Sequence, residues 1–286
     1  MVYILLSILF FTGIFLVFKI IGKKDLSVIN IIVINYFVAA LLGNVQSQVN
    51  PIQALHEDWL YMSIIIGLLY FIFFIVIGIS TKLVGLSVTT VASKMSVVIP
   101  IVFSIIYFNE SLSIFKISGI ILALTGVILT VYKKPEKNRK VKLSEFLIPL
   151  LLFIGMGVTD MLTKIAQDKY LNPNNIALFN SSLFYIAFLI SLIYVLGLRK
   201  QKEFFKQSTL FYGIILGTVN YYGVYFFLKA LDSKIFDSSV IFGINNVSIV
   251  ILSVFLGFVI FKEKTNKINI IGIASAITAI VFLSIS

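Results

Sequence analysis

Residues 91–129 read VASKMSVVIPIVFSIIYFNESLSIFKISGIILALTGVIL. Two apolar runs flank a short polar turn, and Lys94, Glu110 and Lys116 are the charged side chains within the whole passage. A helix rises 1.5 Å per residue, so about 20 apolar residues are needed to cross roughly 30 Å of hydrocarbon. Each run, extended to 87–108 and 114–132, meets that length. The passage therefore predicts a pair of transmembrane helices joined by a tight turn.

Outward from this pair the same pattern recurs. Ten apolar stretches fit the chain, at 2–20, 29–45, 59–79, 87–108, 114–132, 145–167, 175–197, 208–230, 237–261 and 268–285. Hydrophobic side chains make up 59% of the 286 residues and charged ones 12%, about half the share of a soluble domain. A β-barrel would alternate polar and apolar residues in short segments, which these stretches do not. The fold class is an all-α integral membrane protein. The first stretch starts at Val2 with no basic region before it and no small-residue cleavage site after it, and is expected to be a retained helix.

The net charge of +11 comes from lysines and arginines gathered between helices, so it predicts orientation rather than nucleic-acid binding. The odd-numbered loops hold 17 of the 23 basic residues and the even-numbered loops hold Lys116, Lys169, Lys229 and Lys234. That bias places the odd loops in the cytoplasm and both termini outside. Single cysteines at Lys137 and Ser47, tested with an impermeant maleimide on intact cells, should label at 47 and not at 137. The reverse pattern would invert the topology.

Self-alignment gives the domain organisation. A shift of 145 lays FKIIGKKDLSVINIIVIN (18–35) on TKIAQDKYLNPNNIALFN (163–180), matching Lys19 to Lys164, Asn30 to Asn175 and Asn35 to Asn180. A shift of 153 lays YFNESLSIFKISGIILALTG (107–126) on IFKEKTNKINIIGIASAITA (260–279), matching Glu110 to Glu263, Gly119 to Gly272 and Ala123 to Ala276. The expectation is two five-helix repeats, 1–132 and 144–286, joined by a basic linker at 133–143. Five is odd, so the repeats must cross in opposite senses. Such inverted repeats place a substrate site near mid-membrane between them.

The paired blocks 91–129 and 243–281 resemble the EamA-type ten-helix branch of the drug/metabolite transporter superfamily. In each, a helix ends in an aromatic or apolar pair, a turn glutamate follows, and a glycine lies early in the next helix: Glu110 with Gly119, Glu263 with Gly272. The resemblance implies export or exchange of amino acids, metabolites or drugs by alternating access. Pro100 departs from the repeat, since its matched position is Ser253. The charge-based orientation departs too, because many relatives are thought to keep both termini in the cytoplasm.

Several polar residues inside apolar stretches are candidates for function. Lys94 stands about two turns inside the fourth stretch, where a lysine costs about 2.5–3.5 kcal/mol on insertion scales. It either meets an anionic group in a cavity or snorkels to the surface past Ser93 and Thr90. Asp160 and Lys164 share a face of the sixth stretch and can pair. A buried carboxylate is also a natural proton carrier, since low dielectric favours the neutral acid. Asn35 and Asn180, matched by the repeat, fit either a central site or interhelical bonding. Asn220, Tyr221, Tyr222 and Tyr225 on the eighth stretch, with Asn245, Asn246 and Ser248 on the ninth, suggest an amphipathic lining for a neutral or zwitterionic solute.

Gly119-xxx-Ala123, Gly272-xxx-Ala276 and Gly213-xxx-Gly217 read as close-packing faces. Glu110 and Glu263 read as partners of free backbone N–H groups at helix ends. Pro100 is expected to kink its helix and release the carbonyl of Ser96. There is no cysteine and one histidine, His56, in a loop, which excludes disulfides, thiolate chemistry and a His/Cys zinc site. No cofactor is expected, nor a GxxxxGK[ST] loop for direct ATP drive. The sequence thus favours a secondary transporter of a small polar or amphipathic metabolite in a bacterial cytoplasmic membrane, with protons a candidate coupling ion. The rivals are a flippase for a lipid-linked substrate, a membrane scaffold or sensor, and an intramembrane enzyme, for which the acid, base and nucleophile sets are missing. Substrate identity and oligomeric state are left open.

Overall fold

A computed structural model describes the chain except for residues 25, 108–112, 132–142, 199–203, 234, 236–237, 264–265 and 285–286. Glu110 and the basic linker run 133–142 lie outside the described residues. Among those described, every element is helical. They are α1 (Val2–Gly22), α2 (Val28–Ser47), a 3-10 turn (Pro51–His56), α3 (Leu60–Leu83), α4 (Leu86–Met95) and α5 (Val98–Tyr107). Then come α6 (Ile114–Val131), α7 (Ser144–Tyr170), α8 (Ile176–Gly197), α9 (Gln207–Asp232), α10 (Ser238–Val259) and α11 (Lys267–Ser284). In lipid a backbone must satisfy its own polar groups, so apolar runs of this length fold as helices. Six helices are long and apolar enough to cross a membrane: α1, α2, α3, α7, α8 and α9. Shorter apolar helical segments run over Leu86–Pro100, Ile117–Thr130, Ile244–Val259 and Lys267–Phe282.

The stretch expected as one helix over 87–108 is two. Helix α4 stops at Met95, Ser96 and Val97 form a turn, and α5 begins at Val98. Proline lacks the N–H that would bond four residues back, so Pro100 cannot donate to Ser96. The Ser96 carbonyl is nonetheless satisfied, because Ile99 N donates to it at 2.9 Å. Ser96 Oγ in turn donates to the Ser93 carbonyl at 2.5 Å. The kink is thus a full break, with its backbone groups re-paired over one tight turn.

The chain forms two compact units. The first comprises Met1–Gly78 and Leu162–Ile235, which is α1, α2, most of α3, the end of α7, α8 and α9. Its close approaches depend on small residues. A Cβ on Gly217 of α9 would lie 2.6 Å from the Asn35 carbonyl of α2, and one on Gly213 would meet Ile34 at 2.5 Å. The Gly213-xxx-Gly217 face therefore seats α9 on α2, as read from sequence. Gly217→Leu should wedge these helices apart at about 1–3 kcal/mol, the usual range for overpacking. A lower melting temperature in detergent is the expected result, and an unchanged one contradicts this packing.

The second unit comprises Ile79–Met161 and Phe236–Ser286, which is the end of α3, α4, α5, α6, the larger part of α7, α10 and α11. Helices α6 and α11 are antiparallel: a Cβ on Gly272 would meet Thr130 N at 2.5 Å, and one on Gly126 would meet Ala276 N at 2.9 Å. Asn266 precedes α11 and forms a reciprocal cap with Asn269, N to Oδ1 at 2.8 and 3.2 Å. The Asn269 amide also donates to the carbonyls of Leu129 and Thr130, fastening the start of α11 to the end of α6. Each compact unit takes helices from both the 1–132 and 144–286 stretches.

Candidate functional site

In the second unit Lys94 sits at the end of α4, immediately before the break, and is 9% exposed. Most of it is enclosed by protein. Helix α7 passes the break at Gly157, where a Cβ would meet the Ser96 carbonyl at 2.8 Å and the Ile99 side chain. Asp160 follows three residues later, nearly one turn of α7. Asp160 is half-buried, and it and Lys94 lie close enough for their charges to interact. A basic and an acidic side chain from different helices thus lie within electrostatic reach of each other beside a broken helix. Ser93 Oγ, buried beside Lys94, has no hydrogen-bond partner among the described residues. Neither does the buried Ser253 Oγ of α10. Asn245 and Asn246 of α10 are also buried in this unit.

In the first unit three asparagines are joined across helices. Asn220 of α9 donates to Asn35 Oδ1 of α2 at 3.1 Å. Asn180 of α8 donates to the Tyr221 carbonyl at 3.4 Å. Tyr221 donates its hydroxyl to Gln46 Oε1 at 2.9 Å, and Ser181 donates to the Ala40 carbonyl at 2.9 Å. Asn35, Asn180, Asn220 and Tyr221 are all almost wholly buried. Their side chains hold α2, α8 and α9 together, which is the interhelical role. Asn180 Oδ1 keeps no hydrogen-bond partner among the described residues.

Tyr222 and Tyr225 differ, being half-buried on an aromatic wall. Tyr225 stacks on Tyr221 at 5.8 Å, Tyr222 on Phe226 at 5.7 Å, and Phe10 of α1 meets both Tyr222 and Phe226. Lys229 lies 5.9 Å from the Tyr225 ring, within cation–π range. Lys164, offered by spacing as a partner of Asp160, forms its ion pair with Asp168 at 3.6 Å and donates to Gln167 at 2.8 Å. Lys164 is thus engaged toward the end of α7.

Two features were not anticipated from sequence. Glu145, in the first turn of α7, is a buried carboxylate in addition to Asp160 of the same helix. Gly157 brings α7 against the break in α4–α5. The run GMGVTD (155–160) carries the signal, since a glycine one turn before an intramembrane acid invites a close helix approach.

Residues 1–132 match the EamA-like transporter family. That similarity is consistent with the drug/metabolite transporter superfamily. An uncharacterized protein of Haemophilus influenzae is 29% identical over 216 residues, covering 75% of this chain and 72% of that protein. A crystal structure at 12% identity superposes with a TM-score of 0.66 over 99% of this chain and 96% of its own, which establishes a shared fold. The family match and the six long apolar helices together support a multi-pass membrane protein.

Proposed function

We propose that the protein is a secondary transporter, an exporter or exchanger of a small polar or amphipathic metabolite such as an amino acid. It works by alternating access in the cytoplasmic membrane of a bacterium. The observation that carries the reading is the buried Lys94 and its neighbour Asp160 beside the break between α4 and α5. A charge retained in hydrocarbon against a cost of about 2.5–3.5 kcal/mol calls for a polar partner, and a substrate or a coupling ion supplies one.

The architecture we propose is ten membrane spans in two inverted five-helix repeats. Six long helices and four shorter apolar segments support it, with α4 and α5 as one interrupted span. Such a repeat relates α2 to α8 and α6 to α11. Those are two of the pairs that pack most closely, at Ser181 on Ala40 and at Gly272 on Thr130. Lys94 comes from one repeat and Asp160 from the other, so their meeting suits a site shared by both.

Purified protein in proteoliposomes, screened for thermal shift against amino acids, sugars and purines and then assayed for uptake with and without a pH gradient, tests this reading. Saturable uptake of a stabilising solute is expected. Stabilisation by a solute that is never moved across the bilayer would point to a sensor.

A further inference from the structure

Glu263 lies in the turn between α10 and α11, yet its carboxylate serves a different helix. Leu86 N donates to Oε1 at 2.6 Å, Ser87 N donates to Oε2 at 3.2 Å, and Ser87 Oγ donates to the same Oε2 at 2.8 Å. Leu86 and Ser87 open α4, where the first N–H groups have no partner within the helix. The negative carboxylate also sits at the positive end of the helix dipole.

The surroundings are shaped to admit it. Gly85 has φ +97°, a left-handed conformation that suits glycine, and a Cβ there would lie 3.0 Å from Glu263 Oε1. A Cβ on Gly257 of α10 would lie 3.0 Å from Oε2 and 2.8 Å from Ser87 Oγ. Side chains at either glycine would crowd the acid.

Helix α4 has ten residues. Its far end is separated from α5 by the turn at Ser96–Val97, and Lys94 stands just before that turn. Eight residues separate Leu86 from Lys94, about 12 Å along the axis. The segment is a short rod, fastened at one end by three hydrogen bonds to a charged acceptor and bearing the buried lysine at the other.

We infer that Glu263 is a positioning residue: it latches α4 to the α10–α11 turn, and so sets where Lys94 stands. The role of Lys94 rests on the function proposed above, but the latch itself is tested without any transport assay. The chain has no cysteine, so a single thiol can be placed at Ser93→Cys, beside Lys94, and a second protein can carry Thr12→Cys in the other compact unit. Both positions are buried. The probe is N-ethylmaleimide, and the readout is the labelling rate in liposomes.

Glu263→Gln keeps the size of the side chain but loses its charge and one acceptor. It should raise labelling at position 93 at least about tenfold, within the range of couplings of this kind, and leave position 12 unchanged. Glu263→Asp, which keeps the charge, should restore slow labelling in part. Ser87→Ala removes one of the three bonds and should give an intermediate rise. No rise at position 93 in either Glu263→Gln or Ser87→Ala would overturn the latch. So would equal rises at 93 and 12, which would mean general loosening. Should Lys94→Met leave transport intact while Glu263→Gln still unlocks position 93, the function proposed for Lys94 fails and the latch stands.

Discussion

Lys94→Met should reduce transport by at least about 30-fold while leaving the quantity of folded protein unchanged or higher. Methionine matches the length and the apolar stem of lysine, so packing around α4 is preserved. Removing a charge from a helix in hydrocarbon relieves an insertion cost of about 2.5–3.5 kcal/mol, which acts in favour of the folded protein. A purely structural lysine would therefore be dispensable. Where the Lys94 amine holds an anionic group of the bound substrate, losing it costs about 2–5 kcal/mol of that interaction, and 1.4 kcal/mol is a factor of ten. Initial uptake rates in proteoliposomes, normalised to folded protein by size-exclusion peak area, give the comparison. Normal transport by the methionine variant would remove Lys94 from the site.

The sequence exposed the membrane class, most helix positions and the small-residue faces, because each depends on local pattern. Apolar length alone locates α1, α2, α8 and α9 to within a few residues. The interruption at Ser96–Val97 was half visible. Pro100 announced a missing donor, but whether α4 bends or breaks depends on what packs there, and that is Gly157 of α7. Glutamate at 263 was legible as a capper of free N–H groups. Its target was not, because nothing in the turn names a helix about 180 residues away. The repeat singled out Asn35 and Asn180 as equivalents, yet Asn35 accepts from Asn220 of α9 while Asn180 donates to the Tyr221 carbonyl of α9, pairings no self-alignment can reveal. Tyr221, which the sequence groups with Tyr222 and Tyr225, is separated from them by its complete burial.

Asp160→Asn carries the second large effect, on energy coupling. Asp160 is half-buried on α7, one turn beyond the Gly157 approach to the break, and within electrostatic reach of Lys94. If a proton gradient drives transport, a carboxylate placed there is the group that binds and releases the proton. Asparagine has nearly the same shape and keeps a carbonyl acceptor, but it cannot ionise. The expected result is loss of uptake driven by a pH gradient, with counterflow exchange of labelled for unlabelled substrate retained. Exchange returns the carrier loaded in both directions and needs no net proton release, so it isolates substrate handling from coupling. Loss of both activities would instead place Asp160 among the substrate contacts or the supports of Lys94. Gradient-driven uptake at the rate of the parent protein would reduce Asp160 to a structural partner of Lys94, and coupling would then have to reside elsewhere, with the buried Glu145 of the same helix the next residue to replace.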